Sequence, residues 1–268
     1  MTSEALEPVL AGVRNFRDVG GLPTEDGRRV RQGVLFRSGH LAHATEEDTA
    51  FLASLGLHTV FDFRNAADQA LEGPDVSLPG VRNVNLPLSD PAEGAEFWQM
   101  VRDGQVAELR EELSGGRGVA RMQEAYEAII RQRTAEHGRV LHELAEGSVP
   151  VLMHCAAGKD RAGLSIAVTL LALGVEREAI EADYLLSNEP HRRYRVHRGE
   201  HDRREEQRRR VDAEVRELLA PLFDARPAYL ATAYATIAAQ WGDVDTYLRE
   251  GLGLTDAARE RLRDRLLD

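Results

Sequence analysis

Short apolar runs and longer amphipathic stretches alternate along most of the chain. Residues 58–63 and 151–153 are apolar runs of strand length, which predict buried strands. Residues 81–88 alternate apolar and polar positions and predict a further strand. Residues 9–41 combine short apolar runs with glycines, a pattern typical of strands and turns.

The longer stretches predict helices. Thr45 is a good N-cap, and the helix that it begins should end near Gly56. Further helices are predicted at 92–113, 119–146, from the loop at 155–163 to Gly174, and at 176–187, 211–223, 228–241, 244–251 and 255–267. Strands alternating with helices predict an α/β fold with a mostly parallel central sheet flanked by helices and a helical C-terminal half.

One ten-residue segment contains the only cysteine and the only lysine of the chain. It reads HCAAGKDRAG and covers His154–Gly163, between two apolar runs. Strand, short loop and helix is the order that this pattern predicts. Cys155 and Arg161 should therefore flank a loop that opens a helix.

Such a loop has the chemistry to bind a phosphate group and to attack it. Backbone amides at a helix N-terminus converge on an anion, and Arg161 can hold two phosphate oxygens at once. The same positive charge favours the thiolate of Cys155, which would form a phosphocysteine that water hydrolyses. The predicted phosphate-binding positions are Ala156, Ala157, Gly158, Lys159, Ala162 and Gly163.

The segment resembles the signature loop of the cysteine-dependent tyrosine phosphatases. It is most similar to the bacterial protein tyrosine/serine phosphatase family that includes secreted mycobacterial tyrosine phosphatase B. Nearly the whole chain shares this resemblance, through matching segments at 15–18, 35–38, 62–64, 182–188 and 228–267. The resemblance implies a metal-independent phosphatase without cofactor, a single domain over 1–268, and a helical lid around 190–225, with 92–117 as a second possible source.

This chain departs from the family at one position of the loop. The family usually has threonine after the loop arginine, where this chain has Ala162. In the family that hydroxyl is thought to ease departure of the thiolate. We therefore expect Ala162→Thr to raise kcat more than it changes substrate binding.

A general acid is needed to protonate the leaving oxygen, and three carboxylates are candidates. Asp62 and its neighbour Arg64 end one predicted strand, at the same sheet edge as Cys155 if the two strands are parallel. Asp160 lies inside the loop, and Asp90 precedes a proline on another loop. Position alone ranks Asp62 first, Asp160 second and Asp90 third.

Several other polar residues lie near the loop, and Lys159 among them has two possible roles. Lys159 either holds a second phosphate of a polyanionic substrate, as in phosphoinositide phosphatases with a similar loop, or pairs locally with a carboxylate. His154 is interpreted as a supporting residue that hydrogen-bonds the loop and influences the thiol. We expect four more residues to be structural rather than to touch substrate: Asn15, Arg17, Asp18 and Arg37.

Charge and composition limit the partners. A net charge of −11 argues against nucleic acid as a partner. The resemblance implies a phosphorylated protein or a phosphoinositide as the partner. Residues 191–210 carry nine arginines and four acidic residues, and form either a solvated helical face or a basic lid that attracts acidic substrates or an anionic membrane surface. The sequence makes no prediction about the oligomeric state.

The sequence shows neither an apolar run of membrane-spanning length nor a secretory signal. A single cysteine allows no internal disulfide, and no apolar run is long enough to span a membrane. Residues 1–11 lack a secretory signal, so the sequence predicts a cytoplasmic protein, although export without a signal is known in the family.

Two other functions fit part of the pattern. A phosphate-binding protein without activity would use the same loop, but the intact Cys155 and Arg161 argue against it. A thiol-dependent arsenate reductase also has a cysteine five residues before an arginine. It would need a second thiol from outside, since this chain has none to offer.

Overall fold

Five strands form a central sheet in the computed structural model, which describes residues 8–90, 97, 100, 101, 103, 105–193 and 205–268, with the backbone alone at 205–213. The strands are β1 Arg17–Asp18, β2 Leu35–Ser38, β3 Thr59–Asp62, β4 Arg82–Asn85 and β5 Val151–His154. Their order is β1-β2-β5-β3-β4. The first pair is antiparallel and the other three are parallel, which confirms the predicted mostly parallel sheet.

Helices account for most of the remaining described chain. They are α1 Glu46–Ser54, α2 Ala66–Glu72, α3 Val106–Leu113, α4 Arg117–Gln132, α5 Thr134–Glu146, α6 Arg161–Leu173, α7 Arg177–Leu185, α8 Glu205–Phe223, α9 Pro227–Trp241, α10 Val244–Thr246 and α11 Asp256–Leu266. A 3₁₀ turn follows α7, and a π-helical turn follows α10. Among the described residues, no helix combines the length and apolarity needed to cross a bilayer.

The alternation of side chains along β5 divides the interior into two layers. Val151 and Met153 face the larger apolar core, which includes residues of α4, α5, α6, α9 and α11. Leu152 faces the opposite side, where it belongs to a smaller core with Leu52 of α1. Successive residues of a strand point to opposite faces, so a strand covered on both faces is apolar throughout. This burial fixes the position of β5 and of the loop that follows it.

A third apolar cluster lies apart from these two. Leu109 and Leu113 of α3 pack with Val215, Leu219 and Leu222 of α8 and with Phe97 and Val101. Both segments that the sequence predicted as lid sources thus contribute to one helical layer. Residues 194–204 of the predicted 190–225 lid lie outside the described residues, and the role of this layer as a lid stays a prediction.

Two local predictions need correction. The helix predicted at 119–146 is two helices, because Arg133 leaves helical geometry at φ −112° and ψ 33°. No glycine or proline marks that break in the sequence. Helix α2 was not predicted at all, because none of its apolar residues is buried and it has no apolar stripe; a reciprocal capping box between Asn65 and Asp68 begins it.

Candidate active site

Residues 155–161, here called the phosphate loop, connect the carboxyl end of β5 to the first turn of α6. Cys155 stands at the start of the loop and is 2% exposed. Arg161 is the first residue of α6. The arrangement of strand, loop and helix is the one that the sequence predicted. It places the thiol and the guanidinium at the two ends of a turn that opens a helix.

Hydrogen bonds from neighbouring segments hold the carbonyl groups of this loop. The oxygen of Ala156 accepts from the His40 amide at 3.1 Å, and that of Ala157 accepts from Asn15 Nδ2 at 3.2 Å. Arg37 Nη2 donates to the oxygens of Gly158 and Lys159 at 2.7 and 3.2 Å. Four consecutive carbonyl groups are therefore bonded to the surrounding scaffold.

This pattern determines where the amides of the loop point. In a trans peptide the C=O of one residue and the N–H of the next point in opposite directions. The amides of residues 157–160 therefore point away from the scaffold, and none of them donates to another protein group in the described part of the chain. Converging amides beside a helix N-terminus are an anion-binding arrangement.

Two glycines of the sequence motif allow this path. Gly158 has φ +69°, and a Cβ there would lie 2.3 Å from the carbonyl carbon of Ser38 at the end of β2. A Cβ at Gly163 would lie 2.7 Å from Arg37 Nη2, the group that holds the loop carbonyls. Larger residues would therefore move the loop or the arginine beneath it.

A buried ion network supports the loop from below. Asp183 of α7 accepts from Arg17 Nε and from Arg37 Nη1, both at 2.7 Å. Burial opposes its charge, but the two guanidinium groups hold the pKa of Asp183 below its usual range. Burial, reinforced by Arg37, lowers the pKa of Arg17 to about 10. These residues touch the scaffold of the loop, as expected for structural polar groups.

The guanidinium of Arg161 faces α2 rather than the sheet. Its two terminal nitrogens contact the carboxylate of Asp68, and Nη1 lies 3.2 Å from Ser89 Oγ. Burial opposes the charged form, but the charges of Asp68 and Cys155 outweigh it and raise the pKa of Arg161 above its usual range. The carboxylate of Asp68 therefore holds the Arg161 guanidinium in place beside the phosphate loop.

Asp62 lies beside the loop but is heavily engaged. Arg64 donates to it from its backbone amide at 2.9 Å and from Nε and Nη2 at 3.0 Å. Gln69 Nε2 donates to Oδ2 at 3.0 Å. The neighbouring carboxylates also act on Arg64: burial opposes its charge, but Asp62 and Asp75 raise the pKa of Arg64.

His154 belongs to the same group of side chains. It is fully buried and pairs in register with Asp62 across β3 and β5. Its Nδ1 lies 3.8 Å from Asp62 Oδ1, and its Nε2 lies 3.0 Å from Asp75 Oδ2. The His154 ring therefore lies between two carboxylates rather than against the loop, and its role in supporting the loop stays a prediction.

Asp160 is partly exposed inside the phosphate loop. Tyr126 of α4 donates to its Oδ1 at 2.7 Å, and the Tyr126 hydroxyl lies 2.8 Å from that of Tyr184. Burial and the nearby Asp160 charge raise the pKa of Tyr126 well above its usual range, so the phenol stays protonated as a donor. Among the described residues, the hydrogen bonds and ion pair of this carboxylate reach Oδ1 alone.

The side chain of Lys159 extends from the phosphate loop toward the end of α8. Its side chain is 3% exposed, and Nζ donates to the carbonyl oxygens of Leu222 and Asp224 at 2.5 and 3.0 Å. The same ammonium lies 3.2 Å from Asp160 Oδ1. Of the two readings of Lys159, this geometry favours local pairing over contact with a second phosphate.

The sequence analysis missed several residues of the site. They come from separate parts of the chain: Asp68, Asp75, Ser89 and Tyr126. One local signal existed, because Asn65 and Asp68 have the spacing of a capping box directly after a strand. The exposed Asp90 lies next to this group, and its carbonyl oxygen accepts from Asn65 Nδ2 at 3.2 Å.

The structure describes only part of the arginine-rich segment. Arg192 donates to Glu189 at 2.7 Å and to the carbonyl oxygen of Phe16 at 3.0 Å, which ties the start of the segment to the body of the protein. Residues 194–204 lie outside the described residues, as do the side chains of 205–213. The choice between a solvated face and a basic lid therefore stays open.

Comparisons with known proteins agree with this site. The "Tyrosine phosphatase family" matches residues 8–268. A provisionally named tyrosine-protein phosphatase of Cupriavidus necator is 33% identical over 90% of this chain and 82% of its own length. "Triple specificity protein phosphatase PtpB" of Mycobacterium tuberculosis is also 33% identical, over 96% of this chain and 98% of its own.

Solved structures are also similar to this chain. One of them, P. aeruginosa TpbA, is 21% identical, with 77% of this chain and 90% of that chain covered and a TM-score of 0.29. The family match and the two relatives at 33% identity confirm the resemblance that the loop motif predicted. The chain belongs to the tyrosine phosphatase family, a class of phosphoric monoester hydrolases.

Proposed function

We propose that this protein hydrolyses phosphomonoesters through a phosphocysteine formed on Cys155. The observation that carries the proposal is the orientation of the phosphate loop, in which four scaffold-bonded carbonyl groups turn the intervening amides away from the scaffold, where they could bind an anion. Cys155 and Arg161 stand at the two ends of that turn. A nucleophile and a planar cation beside converging amides are what phosphoryl transfer requires.

The reaction has two steps. In the first, the Cys155 thiolate attacks phosphorus, a sulfur–phosphorus bond forms, and the ester oxygen departs with a proton from a general acid. In the second, the carboxylate left by the general acid takes a proton from water as water attacks phosphorus, the sulfur–phosphorus bond breaks, and inorganic phosphate leaves while the thiolate and the acid are regenerated. The loop amides and Arg161 stabilise the equatorial oxygens in both transition states. No step uses a metal or an organic cofactor.

Asp160 is the general acid that the geometry favours. Its side chain is 25% exposed beside the loop, and its hydrogen bonds within the described residues reach Oδ1, so that Oδ2 can carry a proton. Both oxygens of Asp62, by contrast, accept donors from Arg64 or Gln69, and a proton there would displace one of them. We therefore give Asp62 an orienting role, although sequence position alone ranked it first.

Phosphotyrosine is the first substrate to expect, with phosphoserine, phosphothreonine and phosphoinositides as further ones. A relative of 33% identity is named a triple specificity protein phosphatase, which supports more than one substrate class. The loop recognises the phosphoryl group itself through amides and Arg161. This recognition is common to all of these esters.

Phosphate release from a phosphotyrosine peptide tests the proposal. The wild type should release phosphate with a metal chelator present, whereas Cys155→Ser should release none. Arg161→Lys should lose activity by at least about 100-fold, because lysine cannot replace a bidentate fork. Release that persists in Cys155→Ser, or that needs an added metal, would contradict the mechanism.

A further inference from the structure

Two histidines and a glutamate form a compact group outside the phosphate loop. His40 and His43 lie in the segment between β2 and α1, and Glu72 is the last residue of α2. One side-chain ligand atom from each of the three lies within 4.8 Å of the other two. His40 Nε2 is 3.1 Å from Glu72 Oε2, and the two imidazole rings are 4.9 Å apart at 86°.

The fold brings these side chains together through backbone bonds that do not involve them. The Leu41 amide donates to Asp75 Oδ1 at 2.8 Å, which ties the histidine segment to the chain just beyond α2. Leu41 is itself 1% exposed, and the Ala44 amide donates back to the Leu41 carbonyl oxygen at 3.1 Å. His40 and His43 are therefore held on one tight turn beside the end of α2.

The donor set matches a divalent transition-metal ion. Two imidazoles and one carboxylate are a known three-ligand set for zinc, with the fourth position open to water. Imidazole nitrogen favours zinc and other transition metals over calcium and magnesium, which prefer oxygen ligands. The side chains of His40 and Glu72 are only 9% and 8% exposed, whereas His43 lies at the surface and offers a path of entry.

A second group of possible ligands in the described chain is less suitable. It consists of Asp62, Asp75 and His154. Arg64 already lies between its two carboxylates, with Nε 3.0 Å from Asp62 Oδ1 and Nη2 2.8 Å from Asp75 Oδ2. A buried guanidinium there takes the place of a metal cation, so this second group is better explained as an ion network.

We propose that His40, His43 and Glu72 bind one divalent transition-metal ion, with zinc as the ion of best chemical match. The site is separate from the reaction and supports the fold around it. Its link to the phosphate loop is the His40 amide, which donates to the Ala156 carbonyl oxygen at 3.1 Å. A bound ion would join this supporting turn to α2 and raise the thermal stability of both.

Zinc titration by calorimetry tests the site, with full-length Cys155→Ser protein so that no thiolate can take the ion. This background should bind one equivalent of Zn²⁺. Adding His43→Ala or Glu72→Gln should weaken binding at least about tenfold, since even indirect partners of zinc ligands contribute about 10- to 100-fold. Adding His142→Ala, a change on α5, is the matched histidine control and should leave the affinity unchanged.

Thermal unfolding tests zinc binding independently of calorimetry. Saturating Zn²⁺ should raise the Tm of the Cys155→Ser protein by several degrees and leave the Tm of its His43→Ala derivative unmoved, because only the folded site binds the ion. His43 is exposed, so this change should not unfold the protein. Absence of saturable binding, or equal affinity in the background and in both ligand variants, would overturn the proposal.

Discussion

Gly158 shows how strictly one residue can be specified by its surroundings. Its φ is +69°, and an added Cβ would lie 2.3 Å from the backbone of Ser38. Gly27 has φ +86° but no atom within 4 Å of an added Cβ. Both positions have a positive φ, but only Gly158 has a close neighbour. Comparing them therefore separates the free-energy cost of the backbone conformation from the cost of the steric contact.

We predict that Gly158→Ala lowers kcat/KM by at least about 100-fold, because the loop amides must move from their anion-binding positions. Gly27→Ala should reduce the free energy of unfolding by about 1 kcal/mol through backbone strain and leave activity unchanged. Steady-state kinetics and urea unfolding of both variants measure the difference. Equal activities in the two variants would show that the loop path is not needed.

Asp160 and Asp62, the two leading candidates for the general acid, should differ in the pH dependence of their variants. We predict that Asp160→Asn loses the basic limb of the pH–rate profile and about 100-fold in kcat on an alkyl ester such as phosphoserine peptide. The loss should be smaller on an aryl ester with a good leaving group, which needs less protonation. Asp62→Asn should keep the basic limb, and the reverse assignment of limbs would restore Asp62 as the acid.

Residues of the motif were predictable from sequence because the motif itself is local. Cys155, Arg161 and Gly158 lie within seven positions, so the spacing alone predicted a phosphate loop. Asp68 and Tyr126 could not be found in this way. They meet the loop only through the packing of α2 and α4, which no pattern along the chain specifies.

Helix α7 contributes to the site through a single buried carboxylate. Asp183 is 6% exposed and bridges Arg17 of β1 and Arg37 of β2. Arg37 in turn holds two carbonyl groups of the phosphate loop. Removal of this charge would leave two buried cations facing each other without a partner between them.

We predict that Asp183→Asn lowers the free energy of unfolding by about 3–5 kcal/mol at neutral pH. The exposed Asp245, paired with Arg259, is the control, and Asp245→Asn should change stability little. Urea unfolding of the three proteins measures both effects. A cost at Asp183 no larger than that at Asp245 would contradict the supporting role of the network.

The same carboxylate predicts a pH dependence with a definite sign. The folded pKa of Asp183 is held below its usual range, and the unfolded value is about 3.9. Its stabilisation is therefore complete above the unfolded value and is lost as the pH falls through the folded one. The stability gap between wild type and Asp183→Asn should shrink only in acid, and a gap that shrinks at alkaline pH instead would contradict this sign.

Lys159 connects the loop to the end of α8 rather than to solvent. We predict that Lys159→Ala reduces hydrolysis of phosphotyrosine peptide and of a phosphoinositide by equal factors, because it removes bonds to Leu222 and Asp224 and not a substrate contact. Parallel assays of the two substrates on wild type and variant measure the ratio. A selective loss on the phosphoinositide would show that Lys159 contacts a second phosphate.

Elements with an apolar stripe were predictable, and those without one were not. Helix α6 and strand β5 are apolar because both lie in the core, and both appear where the sequence placed them. Helix α2 has no buried apolar residue, so hydrophobic periodicity could not reveal it, and the capping-box spacing of Asn65 and Asp68 was its one local signal. The break at Arg133 is likewise set by packing of α4 and α5 against different neighbours rather than by a breaking residue.

At the scale of the whole molecule, the cations at the phosphate loop are paired groups within an acidic protein. The net charge is −11, yet Arg161 and Arg37 lie at the phosphate loop, and Arg17 shares the carboxylate of Asp183 with Arg37. Arg161 is paired with Asp68, so a phosphate bound at the loop would meet the loop amides and a guanidinium that already has a carboxylate partner. The composition predicted the net negative charge of the chain but not which charged groups lie at the phosphate loop.

The parallel direction of three strands brings these charged groups to one edge of the sheet. Strands β2, β3 and β5 are parallel and end at the same edge of the sheet, where Ser38, Asp62 and His154 stand in register. The phosphate loop follows directly from β5, and the groups that support it follow from the other two strands. A mostly parallel sheet was predicted, but the order of its strands came only from the structure.

The central claim is that Cys155 carries the phosphoryl group between the two steps. Mass spectrometry of enzyme mixed with a phosphotyrosine peptide and quenched within milliseconds tests it most directly. Ala162 lacks the threonine hydroxyl expected to speed the second step, so the intermediate should accumulate. We predict one phosphoryl group on the peptide that contains Cys155 in the wild type and none in Cys155→Ser; phosphate release without any such adduct, and undiminished in Cys155→Ser, would contradict the account.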